Sequence, residues 1–410
     1  MSWYLRFHLL VALAISASVA DLALGRMGAL PLPATLLTVL MFSSLAAIIV
    51  LFDITGNFGA RTIALIRYNR FVLTPYLSFA ILTLVLSMSP GAYWGEGGKW
   101  IYIITYGFVL FLSALIASPI PFRGMTTRSA LQLPLLLLIA SMTYELWNPG
   151  YFSTEESRPA GFAGNSNFGA LAANMMCASI LSYGRAGSVK RDMAWLMATG
   201  MGVLMTQSRS GLLGFLALLI YYLFHYIRSR PFTPGELLKF LVAVTFGVVL
   251  TGWTMLYIFE DSGLFKDRKT RFDTFMESGE TDDGSAESRL RRARYAVTKI
   301  TEAPLIGHGT AFTRSYKGQP HNIYLQIWVN YGLIGLSLWL FILGSAWWTF
   351  RKNDYLPGRG LILVTFIGGF FSHNILEQHP FLICFGIMLG ENFQLFERAR
   401  LLCARPAAAP

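Results

Sequence analysis

The chain has 410 residues, of which 54% are hydrophobic and only 13% charged, and its formal net charge is +11. Soluble domains carry about twice that share of charged residues, so the composition excludes an ordinary soluble fold and predicts an all-α polytopic membrane protein. Cys177, Cys384 and Cys403 stand in or beside apolar runs with no paired spacing. They read as small buried hydrophobes, and support neither a disulfide framework nor a thiolate metal site.

Twelve apolar segments approach the roughly 20 residues that a bilayer requires. In chain order they cover 7–24, 31–52, 71–89, 100–118, 129–147, 167–183, 193–206, 210–227, 237–259, 323–349, 358–377 and 380–397. The first follows Arg6 and ends at Ser18-Val-Ala-Asp21, as a cleaved leader would, but is read as a retained helix. The chain thus divides into membrane helices 1 to 9 (1–259), a long loop (260–322), helices 10 to 12 (323–397) and a tail (398–410). With a cytoplasmic N-terminus, 18 of the 33 Lys and Arg fall on the cytoplasmic side and 11 in the long loop. Only Arg26, Lys99, Arg158 and Arg209 remain for the short outer loops. The positive-inside rule therefore places both termini in the cytoplasm and the long loop outside. Most of the net charge is topogenic, and no nucleic-acid partner follows from it.

Arginines on the outer face need a reason. Arg209 lies in Thr206-Gln-Ser-Arg-Ser-Gly211, a polar break between two apolar helices. It either faces protein or a wet cavity, as intramembrane ionisable groups with a function do, or snorkels to the headgroups. Arg158 opens a Gly- and Asn-rich stretch to Gly169, which suits irregular backbone lining a cavity or a plain connecting loop. Within the long loop, 277–287 is an acidic, glycine-containing turn that needs no chemical role. Residues 288–303 then turn helical, with Leu290, Ala293, Val297 and Ile300 as the expected packing face. Arg289 and Arg292 share one side of this helix and Arg291 and Arg294 another, a cationic cluster that also suits an interfacial helix on anionic lipid.

His308, His321, His373 and His379 are placed near the outer face, none in His-Glu-x-x-His spacing, so no metal site is predicted. His321-Asn322 follows Pro320 and opens the tenth span. There the positive end of the helix dipole favours a neutral imidazole, which can take a proton near neutral pH. Glu145, Glu302 and Glu377 are alternative bases at similar depth.

These residues resemble a known family. His321-Asn322, nine residues, then Gly332-Leu-Ile-Gly335 is similar to the signature of bacterial O-antigen ligases, and Arg209-x-x-x-Leu213 to their second motif. Arg289 fifteen residues before Pro304-Leu-Ile-Gly307, and Arg158 ahead of Gly161-Phe-x-Gly-Asn165, resemble the wider superfamily of O-antigen ligases, polymerases and O-linked oligosaccharyltransferases. The resemblance implies a GT-C-type glycosyltransferase of the bacterial inner membrane with a periplasmic active site. It would move O antigen from undecaprenyl diphosphate to the outer-core sugar of lipid A-core, with inversion and without metal or other cofactor. Arg209 and Arg289 would stabilise the diphosphate leaving group and His321 would act as base. Arg158, Asn322, Arg291 and Arg292 would bind substrate. A polymerase, an oligosaccharyltransferase and a lipid-glycan transporter are the rival readings. No internal repeat supports transport.

Overall fold

The computed structural model describes residues 2–29, 34–51, 58–92, 100–118, 127–153, 158–183, 188–229, 235, 284–315, 319–373 and 375–403. The ninth predicted span (237–259), the long loop as far as residue 283 with most of its acidic turn, and the tail beyond 403 lie outside them. Among the described residues the elements are helices, with no strand. In order they are α1 (Ser2–Ser16), α2 (Ala20–Arg26), α3 (Ala34–Leu51), α4 (Phe58–Tyr68), α5 (Arg70–Leu86), α6 (Trp100–Ala117), α7 (Gln132–Trp147), α8 (Ser166–Ile180), α9 (Val189–Met205), α10 (Arg209–Arg228), α11 (Gly284–Glu302), α12 (Phe312–Ser315), α13 (Ile323–Lys352), α14 (Leu356–Gly369) and α15 (His379–Cys403). Short 3-10 turns precede α7, α8 and α15.

Three described helices are long and apolar enough to cross a membrane: Arg128–Trp147, Arg209–Arg228 and Ile323–Lys352. The number rises to five if each of two bent pairs is one span. In the first pair, α1 and α2 meet at 57° around Val19, which adopts the left-handed conformation. In the second, α4 and α5 meet at 84°. The run read as the eleventh span, 358–377, forms a shorter α14 followed by a 3-10 turn at Ile375–Glu377.

Small residues and buried polar pairs fix the packing. A Cβ at Gly386 would sit 2.4 Å from the Leu110 carbonyl oxygen, and one at Gly390 2.4 Å from that of Ala114. This Gly-x-x-x-Gly face lets α15 lie directly on the α6 backbone, as small-residue faces do between helices in lipid. Asp21 and His379, both buried, approach to 3.0 Å (Oδ2 to Nδ1), and the Thr38 hydroxyl donates to the same carboxylate at 2.7 Å. These contacts pin α2, α3 and the start of α15 together.

One set of polar contacts joins the helix ends around α8. Asn165 caps α8, its side chain accepting from the Asn167 and Phe168 amides. From the first turns of α8, Asn167 accepts from the Ser208 hydroxyl at 2.7 Å, and the Asn174 side-chain amide donates to the Gly211 carbonyl at 2.8 Å. Leu171 of the same helix fills the space beside Gly368, near the end of α14. There the Tyr324 hydroxyl of α13 donates to the Phe366 carbonyl at 2.6 Å. The starts of α8, α10 and α13 and the end of α14 therefore share one end of the molecule.

Candidate active site

The site is built on a break in α13. Gly332 has φ 65° and ψ −168°, a conformation essentially reserved for glycine. In an unbroken helix the amides of Leu333 and Ile334 would bond the carbonyls of Val329 and Asn330. Here they donate to Pro304 and Leu305 instead, at 2.9 and 3.3 Å, while Val329 and Asn330 accept from His308 and Gly309, both at 2.9 Å. All four backbone groups freed by the break are thus satisfied by one loop, as buried backbone requires. The Trp328 indole also donates to the Pro304 carbonyl, and the Asn330 side chain accepts from the Thr313 amide. The two Leu-Ile-Gly motifs read from the sequence are therefore backbone partners, with Gly307 against Gly332.

This loop ties α11 to α13, by a face that shares only Ile300 with the predicted one. Leu290 and Val297 are exposed, whereas Ala296 and Ile300 are buried against Val329, with Phe312, Leu325 and Trp328 around them. The buried stripe runs through positions 292, 296 and 300. Apolar periodicity alone favours another rotation, because the small Ala296 permits closer approach than Leu290 or Val297 and because Arg292 has a partner, His321, just before α13. The His308 ring nitrogen Nε2 donates to the Lys299 carbonyl at 2.8 Å and its ring stacks on Phe312, so His308 serves the loop clamp.

His321 stands immediately before the cap of α13 rather than in its first turn. Asn322 is the cap, its side-chain oxygen accepting from the Tyr324 and Leu325 amides at 2.9 and 3.1 Å. That fixes the backbone beside His321. Arg292 approaches His321 with Nη1 at 3.1 Å from Nε2. A guanidinium can only donate, so Nε2 is the acceptor and the neutral ring carries its proton on Nδ1. Burial, then Arg289 and Arg292, hold the His321 imidazole below the ordinary histidine range.

His373, in the connection after α14, packs against His321 at 5.1 Å between ring centroids with the planes at 75°. Its Nδ1 is buried and has no hydrogen-bond partner among the described residues. Sequence reasoning passed over His373 as a site residue, because a lone histidine beyond an apolar run carries no motif. The useful signal was its position, at the same end of the bundle as His321.

The other predicted residues are placed less uniformly. Arg209 is exposed in the first turn of α10, which Ser208 caps by accepting from the Gly211 amide. Arg158 donates to the carbonyls of Thr206 and Gln207, at 3.3 and 3.1 Å. It thereby braces the turn before Arg209, where Gln207 has φ 51°. Arg289 is exposed yet near enough to His321 to lower its basicity, whereas Arg291 is exposed away from the buried stripe. Arg289, Arg292 and His321 come together. Arg209 and Arg158 lie at the same end of the bundle.

Among the alternative bases, Glu302 is exposed and pairs with Lys299, and the side chain of Glu377 lies outside the described residues. Glu145 is buried and accepts from the backbone amides of Phe152, Ser153, Ala160 and Gly161. Four donors on one carboxylate make it the organiser of the 152–161 loop rather than a base. Glu145→Gln leaves two of those amides facing an NH2 group and is expected to cost about 2 kcal/mol or more. A lowered midpoint of detergent unfolding would be the readout, and an unchanged midpoint would remove this role.

Residues 193–340 match the model of the O-Antigen ligase family. The matched stretch contains Arg209, the α11 arginines, the 304–309 loop, His321 and the Gly332 break, and omits Arg158 and His373. No curated protein matches the chain. Over these residues the chain is similar to O-antigen ligases, and its apolar helices include three to five long enough to cross a membrane.

Proposed function

We propose that the protein is an O-antigen ligase, an inverting and metal-independent transferase of GT-C type with twelve membrane spans. It moves O antigen from undecaprenyl diphosphate to the outer-core sugar of lipid A-core. The site faces the periplasm from the inner membrane, and both termini are cytoplasmic. The observation that carries the reading is a neutral imidazole, His321, set among Arg289 and Arg292 at the end of the bundle that also bears Arg209.

The chemistry follows from those groups. A sugar hydroxyl is too weak an acid to ionise first, so His321 takes its proton as the oxygen attacks the anomeric carbon. The new C–O bond forms as the bond to the diphosphate oxygen breaks, and its electron pair stays on the diphosphate. Arg209 and Arg289 meet that growing charge, since guanidinium binds phosphate through paired N–H groups and keeps its proton. Arg158, Asn322, Arg291 and Arg292 complete substrate binding, Arg158 and Asn322 acting partly through the backbone they hold. Both substrates are lipid-anchored, and confinement to one leaflet supplies effective concentration.

The pH dependence has a defined sign. A lowered pKa keeps His321 neutral below the ordinary histidine range near 6.5. The acid limb of the rate profile is therefore expected below that value. Arg289→Gln removes one of the lowering charges and is expected to move the limb upward, although burial, the largest cause, remains. A limb that stayed fixed or moved down in the variant would contradict this placement of charge.

Deletion of the gene in a host with smooth lipopolysaccharide tests the biological reading. A ligase predicts bare lipid A-core and long glycan accumulating on its lipid carrier. Core bearing a single repeat unit would instead identify a polymerase. An unchanged ladder would reject both.

A further inference from the structure

We infer that Arg292 masks His321 until a diphosphate arrives and draws it away. The guanidinium of Arg292 occupies the Nε2 lone pair at 3.1 Å, the lone pair that a base must have free. With the ring proton on Nδ1, the imidazole offers no second acceptor. The base is therefore blocked in the substrate-free protein. The contact is held from outside, because Ala296 and Ile300 seat α11 against Val329 of α13.

Among the described residues, the charged and titratable groups around His321 are Arg289 and Arg292 on α11, Arg314 on α12, and His373 beyond α14. The charged ones among them are cations. A diphosphate is a far stronger acceptor for guanidinium than a neutral imidazole. Its arrival draws Arg292 away, frees Nε2 and offsets the cationic field, so the imidazole becomes a better base as the donor is seated. The acceptor hydroxyl proton can then pass to Nε2 while the glycosidic oxygen leaves with its electron pair on the diphosphate that Arg292 now holds. Donor binding thus precedes activation of the acceptor. This inference rests on the transferase reading above, and adds its order and its gate.

The test is a histidine titration by NMR on purified protein in zwitterionic nanodiscs, with ring-labelled histidine and the His321 signal assigned by its loss in His321→Gln. Inorganic pyrophosphate is the probe, with its binding followed by calorimetry. Saturating pyrophosphate is expected to raise the proton affinity of His321 about tenfold. Arg292→Gln is expected to show a raised affinity without pyrophosphate and a much smaller response to it. A His321 titration unmoved in wild-type protein that binds pyrophosphate would overturn the mask, and this arm needs no variant to fold. An equal response in Arg292→Gln would overturn it too. If pyrophosphate fails to bind, the mask falls together with the diphosphate-binding role. If wild-type protein transfers glycan while His321 ignores bound pyrophosphate, the mask alone falls and the transferase reading stands.

Discussion

Glycan transfer by the His321→Ala protein is expected to fall about 10²- to 10⁴-fold, the range that a general base contributes. Folding is expected to survive, because His321 lies outside α13, is only half-buried, and is not the residue that caps the helix. Its lost partners are a side-chain hydrogen bond from Arg292 and the ring of His373. Rates from reconstituted wild-type and variant protein, normalised to folded protein, give the comparison. Full activity in the variant would pass the role of base to another group, with His373 the nearest.

The largest effect on the fold is expected at Gly332. An alanine Cβ there would lie 2.1 Å from the Leu305 carbonyl oxygen and 2.4 Å from the Ile306 nitrogen. The backbone conformation itself costs about 1 to 3 kcal/mol for a residue other than glycine. Relief of the clash would mean parting the loop from the break, which exposes the four backbone groups they share. Gly332→Ala is therefore expected to lose at least about 3 kcal/mol. Any protein that accumulates should also lose transfer, because the loop ties α11, and with it Arg292, to α13. Gly344 in the same helix has nothing within 4 Å of its Cβ position. Gly344→Ala should be neutral or stabilising by up to about 1 kcal/mol. Equal unfolding midpoints for the two variants would refute the account of the break.

Three of the twelve predicted spans meet described helices of membrane length. The predicted 129–147, 210–227 and 323–349 correspond closely to Arg128–Trp147, Arg209–Arg228 and Ile323–Lys352. The breaks were not legible. Composition stays apolar through Val19 and through Gly332, so nothing in the hydropathy marks where the chain bends. Helix α4 lies between two predicted spans, where Arg61 and Arg67 suit an amphipathic helix.

The site was legible in its charges and less so in their employment. Of the α11 arginines, Arg292 reaches His321 and Arg289 lies near it, whereas Arg291 is turned away. Arg158 and Asn322 look like ligand-binding residues in sequence, yet each spends hydrogen bonds on backbone: two carbonyls after α9 for Arg158, two amides of α13 for Asn322. Sequence cannot distinguish a polar side chain aimed at substrate from one aimed at a helix end, since both are uncommon near apolar runs. His373 is placed near the outer face by sequence, but its pairing with His321 is purely spatial.

The most direct test of the central claim is transfer by purified protein in proteoliposomes, supplied with a lipid-diphosphate-linked glycan and lipid A-core in the presence of a metal chelator. The account predicts a new glycosidic bond of inverted anomeric configuration from wild-type protein, and almost none from His321→Ala. Retention of configuration, dependence on metal, or equal product from the two proteins would contradict it.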